Sequence, residues 1–181
     1  MKNVLRIALL WLLVCPAAFA TVPSYVPTNG LVGWWPFNGN ANDESGNGNN
    51  GTVYLATLSQ DRFGNSGSSY AFGSGPDKIT VANSSFNQLQ NSFSISVWIK
   101  TLTNSYGTGI EYHAIIEKWG AGGNASYLFG LQPSGNPFFL THDNITTGLV
   151  SDSILSFNAW HHLVLVLPCV QQVTLISISL L

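Results

Sequence analysis

Alternation of apolar and polar residues is the strongest pattern along the chain, and it predicts short β-strands. The clearest case is Phe93 to Lys100, which reads FSISVWIK. A strand projects successive side chains to opposite faces. One face therefore carries Phe93, Ile95, Val97 and Ile99, and the other carries Ser94, Ser96, Trp98 and Lys100. The segment Trp160 to Val166, WHHLVLV, is rich in β-branched and aromatic residues and predicts a second strand.

Shorter segments of the same character predict further strands at Thr52 to Leu55, Ser69 to Phe72, Lys78 to Val81, Ala114 to Lys118, Tyr127 to Leu131 and Phe138 to Thr141. Turn signals separate the strands: Asn38-Gly39, Asn47-Gly48, Asn50-Gly51, Ser134-Gly135 and the glycine-rich stretch Gly120 to Gly123. Before them, Thr21 to Asn29 is predicted as an extended linker, because it contains Pro23 and Pro27. Many short strands at this spacing favour an all-β, two-sheet antiparallel sandwich.

The composition supports an all-β domain and excludes several classes of function. Only 8% of the 181 residues are charged and 45% are hydrophobic, whereas about 25% of residues are charged in an average globular protein. So little charge argues against a disordered chain, and against a helical bundle with a charged surface. The formal net charge of −2 provides no basic surface for phosphates, so we expect no nucleic-acid partner.

The first segment, residues 1–20, has the features of an export signal. Lys2 and Arg6 supply positive charge, Ile7 to Val14 is apolar, and Ala18 to Ala20 has the small-residue pattern of a cleavage site. The apolar stretch is shorter than the roughly 20 residues that span a bilayer. We therefore predict a secreted or cell-surface protein that begins at Thr21 and has no membrane span after cleavage. An uncleaved membrane anchor is the alternative.

Several separated motifs resemble a known family. The first is GLVGWWPFNGNANDESGNGNNG at Gly30 to Gly51, the second is Asp61 to Gly64 followed by Ser69 to Phe72, and the last two are the strands that begin at Phe93 and Trp160. In this order and spacing, the chain resembles a laminin-G-like jelly-roll domain of the concanavalin A-like lectin/glucanase superfamily, of the bacterial secreted type. The resemblance extends as far as Val166 and implies two antiparallel sheets in a jelly roll.

The end of the chain departs from this resemblance. Residues 167–181, LPCVQQVTLISISLL, contain no Gly, Asn, Asp or charged residue, although turns join the last strands of such domains. We therefore expect residues 30–166 to form a domain that is incomplete at its C-terminus, followed by an atypical tail from a truncated or frame-shifted reading. The alternative is that the tail supplies one last strand, Val173 to Leu181, to a shortened domain.

Catalytic groups of the superfamily's glucanases are not found in the sequence. A glycosidase needs two carboxylates across the scissile bond, and the glucanase pattern Glu-x-Asp-x-Glu is absent. Glu111 and Glu117 are too far apart, since their separation on a strand is about 20 Å. Adjacent His161 and His162 point to opposite sides of a strand, which favours packing over a zinc site. We predict that the protein is not an enzyme.

Large aromatic residues are the candidates for ligand contact: Trp34, Trp35, Phe37, Trp98, Trp119 and Trp160. Aromatic rings either stack on the faces of sugars or fill the core between two sheets, and for most of these residues the core is favoured. Trp119 differs because it lies between Lys118 and the glycines at Gly120 to Gly123. We expect Trp119 at an exposed rim and predict it as the ligand-binding residue.

The Asn-rich turn from Asn42 to Gly51 is a candidate calcium site. Asp43, Ser45, Asn47 and Asn49 place oxygen atoms at alternate positions, and calcium takes about six to eight oxygen ligands. With so few carboxylates, the expected dissociation constant is about 10⁻⁴ to 10⁻³ M. The resemblance allows such a loop site, since some laminin-G domains bind calcium. The alternative is a metal-free turn in which Asp and Asn side chains cap backbone N–H groups.

Two classes of function remain open. The resemblance implies a non-catalytic recognition module that binds a glycan or an extracellular protein at the cell surface, with a role in cell adhesion. The alternative is a structural or adhesive extracellular unit with no specific ligand of its own. Since one fold serves many functions, the fold does not choose between them.

Overall fold

The computed structural model describes residues 22–73, 75–82, 92–102, 112–118, 127–141, 149–167 and 174–178. These residues form short strands and no helix. In chain order, the strands are β1 (Gly51–Tyr54), β2 (Thr57–Ser59), β3 (Ser69–Ala71), β4 (Lys78–Val81), β5 (Phe93–Lys100), β6 (His113–Lys118), β7 (Tyr127–Leu131), β8 (Pro137–Thr141), β9 (Leu149–Val150), β10 (Trp160–Leu167) and β11 (Thr174–Ile178). The chain divides into two compact units, residues 1–85 and 86–181.

The first unit contains two short antiparallel ladders, β1 with β4 and β2 with β3. Gly51 begins β1, where the sequence predicted a turn at Asn50-Gly51. The N–H of Gly51 donates to the carbonyl oxygen of Ala41 over 2.8 Å. A Cβ at Gly51 would lie only 2.7 Å from the Ile79 side chain. Close approach between neighbouring segments, and not a turn, therefore requires this glycine.

The second unit contains the larger sheets. One has the strand order β11-β10-β5, and the other runs β6-β7-β8-β9. All the pairings are antiparallel. The β6–β7 register shifts between Ala114 and Ile116, as at a β-bulge. β11 lies within residues 167–181, so this part of the chain contributes a strand beside β10. The origin of the tail in a shifted reading frame stays a prediction.

A buried apolar cluster lies between the two sheets of the second unit. Its buried members are Phe129, Leu131, Phe139, Leu155, Leu163 and Leu165. Packed against them are the β5 residues Phe93, Ile95, Val97 and Ile99. These four residues confirm the face that the alternation predicted for this strand. Each fully buried side chain of this size stabilises the fold by about 1.5–3 kcal/mol, so the cluster holds the sheets face to face.

Every strand that the sequence predicted is present, with ends that shift by a residue at most. The structure adds β2 and β9, which the sequence did not predict, and it contains β11, a shorter form of the strand that the alternative account of the tail placed at Val173 to Leu181. β2 has three residues and β9 has two, so neither is long enough to show an alternating pattern. Their strand conformation comes from the partner strand and not from local sequence. Within the described residues, no helix has the length and apolar character needed to cross a membrane.

Candidate functional site

The Asn-rich turn is organised around the carboxylate of Asp43, of which only 8% is exposed. Its Oδ1 accepts the N–H groups of Trp34 and Ser45, and its Oδ2 accepts the N–H of Asn49, each over 2.9 Å. Burial alone would raise the pKa of Asp43. The hydrogen bonds from Ser45, Trp34 and Asn49 outweigh burial and hold this pKa below 3.8. The ionised carboxylate therefore acts as the central acceptor of the turn.

Two asparagines tie the same turn to the preceding segment. The Nδ2 of Asn47 donates to the carbonyl oxygen of Leu31, and the Nδ2 of Asn49 donates to that of Val32, both over 2.7 Å. The capping of backbone N–H groups that the metal-free alternative describes is made by Asp43, and by Asn50, whose Oδ1 accepts the N–H of Asp43 over 2.9 Å. A calcium ion would have to share the Asp43 oxygens with three N–H groups. Calcium binding at this turn stays a prediction.

The adjacent histidines of β10 lie on opposite faces of the strand. His161 is buried, and its Nε2 lies 2.9 Å from the carbonyl oxygen of Ser156 and 3.2 Å from the Oγ of the same residue. A buried, hydrogen-bonded imidazole confirms the predicted packing role. In the described part of the chain, no three His, Cys, Asp or Glu side chains come together as a metal site would require.

The opposite face of the β5–β10 ladder carries aromatic, cationic and hydroxyl groups. The rings of Trp98 and His162 are stacked, with centroids 4.9 Å apart and an interplanar angle of 11°. The Nε2 of His162 lies 2.7 Å from the Oγ of Ser96. Lys100 is directly opposite Trp160, and its Nζ lies 5.9 Å from the centroid of the indole. This face differs from the core face because it combines flat rings with polar groups.

The candidate ligand-binding residue Trp119 lies outside the described residues, as do the glycines that follow it. The sequence did not identify the Lys100–Trp160 pair. Alternation placed Lys100 on the face away from the core, but its partner depends on the register between two strands that are far apart in sequence. No local sequence pattern predicts the register between β5 and β10.

Among its described residues, the first unit has cation–aromatic pairs at Arg62 and at Lys78. The guanidinium of Arg62 lies 4.2 Å from the centroid of the Phe63 ring, and the Nζ of Lys78 lies 5.8 Å from that of Tyr54. Asp61 fixes the turn beneath Phe63 by accepting its N–H over 2.9 Å. Phe63 is nevertheless 72% exposed, so these pairs are surface features worth about 0.5–1 kcal/mol each.

Comparison with known proteins identifies the class and the family of this antiparallel β-sandwich. A family model, Laminin_G_3, described as the concanavalin A-like lectin/glucanases superfamily, matches residues 73–175. Because the match covers more than half of the chain, the chain belongs to the concanavalin A-like lectin/glucanase superfamily. Searches among curated proteins and among solved structures gave no match.

The family match confirms both the resemblance noted from the sequence and the predicted fold class, an all-β, two-sheet antiparallel jelly-roll sandwich. The matched residues include β5 and β10, whose sequences carried part of that resemblance. The match begins after the Asn-rich turn and after the Asp61 segment. It continues beyond Val166, where the sequence-based resemblance stopped, and reaches β11.

Proposed function

We propose that this chain is a secreted, non-catalytic recognition module that binds a carbohydrate or a protein partner at the cell surface. The observation that carries the proposal is the family match over residues 73–175, because it places the β-sandwich in a superfamily of lectins and glucanases. Secretion is inferred from the export signal at residues 1–20.

The hydrogen bonds of Asp43 and Asp61, and the composition of β5 and β10, support a non-catalytic role. A glycosidase requires one carboxyl group to protonate the leaving oxygen and another to act on the sugar. Asp43 and Asp61 instead accept hydrogen bonds from backbone N–H groups of their own loops. The β5 and β10 strands carry no Asp or Glu, so the polar face of this ladder offers no catalytic pair.

A glycan array probed with the secreted chain tests the proposal. We expect binding to a restricted set of glycans, and we expect it to be lost in Trp119→Ala. Phe63→Ala is the matched control, because it removes a ring that is already exposed and lies outside the family match. Binding that persists in Trp119→Ala would move the site away from this residue without removing the recognition role.

A structural or adhesive unit is the second candidate, and exposed apolar side chains of the first unit favour it. Val53, Tyr54, Leu55, Leu58 and Phe72 are between 37% and 59% exposed, within a short stretch of chain. Large exposed apolar surfaces are typical of sites of protein contact. A blank glycan array, together with a melting temperature that sugars do not change, would favour this candidate.

A further inference from the structure

Three cross-strand pairs form a row on the polar face of the β5–β10 ladder. The register places Lys100 opposite Trp160, Trp98 opposite His162, and Ser96 opposite Val164. Successive pairs on one face of a sheet are separated by about 7 Å, which is two residue rises. We call Lys100, Trp160, Trp98, His162 and Ser96 the aromatic row. It is carried by paired strands whose other face is anchored in the core, so its groups are held in a fixed order.

The aromatic row combines aromatic surface, which can contact the C–H groups of a sugar, with polar groups that can bind its hydroxyl or charged groups. Trp98, His162 and Trp160 are half-buried, so the packing holds their rings while part of each stays open to solvent. Aromatic faces attract the C–H groups of a sugar ring in the same way that they pack on other apolar groups. Lys100 is exposed at one end, and Ser96 is exposed at the other. The row therefore offers apolar surface in its middle and polar groups at its ends.

The charge of the aromatic row differs from that of the chain. The whole chain has more acidic than basic residues, yet β5 and β10 contain no carboxylate and Lys100 is a cation on this face. An anionic group beside Lys100 meets no opposing carboxylate from either strand. The Nζ of Lys100 lies 5.9 Å from the centroid of the Trp160 indole, so a sugar that contacts this ring lies within reach of the ammonium group.

We propose that the aromatic row binds a glycan that contains a uronic acid, with a sugar face on Trp160 and the sugar carboxylate on Lys100. This inference rests on the proposed recognition function, and it adds to the candidate Trp119 a second ligand-contacting surface with a stated ligand class. No atom of the Asn-rich turn takes part, so binding by the aromatic row does not require calcium.

Titration calorimetry with the secreted full chain in EDTA tests the inference. The probes are tetrasaccharides of galacturonic, glucuronic, mannuronic and guluronic acid, each paired with its methyl ester, which has the same sugar without the charge. We expect at least one acid form to bind more tightly than its ester. Lys100→Gln should weaken binding of that acid form about tenfold, as for loss of one charge-assisted hydrogen bond, and leave the ester unchanged. Trp160→Leu should weaken both forms.

Lys78→Gln is the matched control, because Lys78 is also exposed and also lies over an aromatic ring, that of Tyr54. Equal losses in Lys78→Gln and Lys100→Gln would overturn the site. Binding of neutral glycans but of no uronic acid would overturn the ligand class and leave the recognition function intact. If the chain binds no saccharide, charged or neutral, both this inference and the proposal that the chain binds a carbohydrate are wrong.

Discussion

The backbone N–H of Trp34 donates to the Oδ1 of Asp43 over 2.9 Å, across nine residues of sequence. The same carboxylate also accepts N–H groups from Ser45 and Asn49. One buried side chain thus connects the tryptophan-rich segment to both ends of the Asn-rich turn. A single negative charge compensates three backbone donors, which makes Asp43 the residue on which the local conformation depends.

Asp43→Asn should lower the free energy of unfolding by about 2–4 kcal/mol, because an amide removes the charge and turns an N–H₂ group toward backbone donors. Urea unfolding followed by tryptophan fluorescence measures the change. Asp152→Asn is the control, since Asp152 is exposed and should change stability little. An Asp43→Asn midpoint equal to that of the parent chain would contradict the central role of this carboxylate.

The contribution of Asp43 should also depend on pH. Burial raises its pKa in the folded state, but the hydrogen bonds from the Ser45 side chain and from the backbone of Trp34, Ser45 and Asn49 outweigh burial and hold this pKa below 3.8. A group of this kind stabilises the fold fully above the pKa of the unfolded state and loses that contribution as pH falls through the folded pKa. The difference in stability between the parent chain and Asp43→Asn should therefore shrink below about pH 4.

Thermal unfolding in millimolar calcium and in EDTA decides between the two accounts of the Asn-rich turn. The calcium prediction requires a higher melting temperature in calcium than in EDTA, whereas a metal-free turn requires equal melting temperatures. An ion that binds only the folded chain must raise the melting temperature by mass action. A rise in calcium that disappears in Asp43→Asn would instead establish the calcium site at Asp43, Ser45, Asn47 and Asn49.

Local patterns in the sequence predicted most of the strands and the core face of β5. This success has a physical basis, since a strand with one face in the core must alternate in polarity. The core-facing positions of Phe93 and Ile95 could therefore be predicted from the sequence alone. Gly51 was misread because a glycine looks the same in a turn and at a close contact, and only the position of Ile79 distinguishes the two.

The candidate sites were less predictable because they depend on long-range register. Asn47 and Asn49 suggested cation ligands from their spacing, but their amide nitrogens donate to the carbonyls of Leu31 and Val32. Nothing in the spacing indicates which end of an amide points inward. The pairing of Lys100 with Trp160 likewise joins residues 60 positions apart and appears only when β5 and β10 are aligned.

Export should remove residues 1–20, because a cleavage pattern of small residues at Ala18 to Ala20 follows the positive and apolar stretches. Expression in a bacterial host with a functional secretion system, followed by intact-mass analysis of the exported protein, should give Thr21 as the N-terminal residue. Replacing Ala18 and Ala20 with bulky charged residues should block cleavage. A folded, exported chain that retains Met1 would show that the segment serves as an anchor.

Gly130 should tolerate no side chain. It lies in β7, and a Cβ there would meet the carbonyl oxygen of His113 and lie 3.2 Å from the ring of Phe138. Because a backbone carbonyl in a ladder cannot move away, Gly130→Ala should destabilise the chain by about 1–3 kcal/mol. Chemical unfolding measures this loss, and Ser134→Ala at an exposed turn position is the control. Equal stability of the two variants would show that β6 and β7 are further apart than described.

Stability should decline below neutral pH through His113. Burial lowers the pKa of His113 below 6.5, because a buried site disfavours the charged imidazolium. In the unfolded chain this histidine takes up a proton near pH 6.5, so the unfolded state binds more protons than the folded state below that pH. The free energy of unfolding should therefore be greatest above pH 6.5 and fall as pH drops toward the folded pKa.

Urea unfolding at pH values from 8 down to about 5 measures the decline that protonation of His113 should cause. His113→Gln cannot take up a proton and should flatten the profile in this window, whatever its effect on stability at pH 8. His161→Gln is the control, because it removes a different imidazole, one that lies in the neighbouring sheet beside Ser156. A pH dependence of the unfolding free energy that is unchanged in His113→Gln would contradict the prediction.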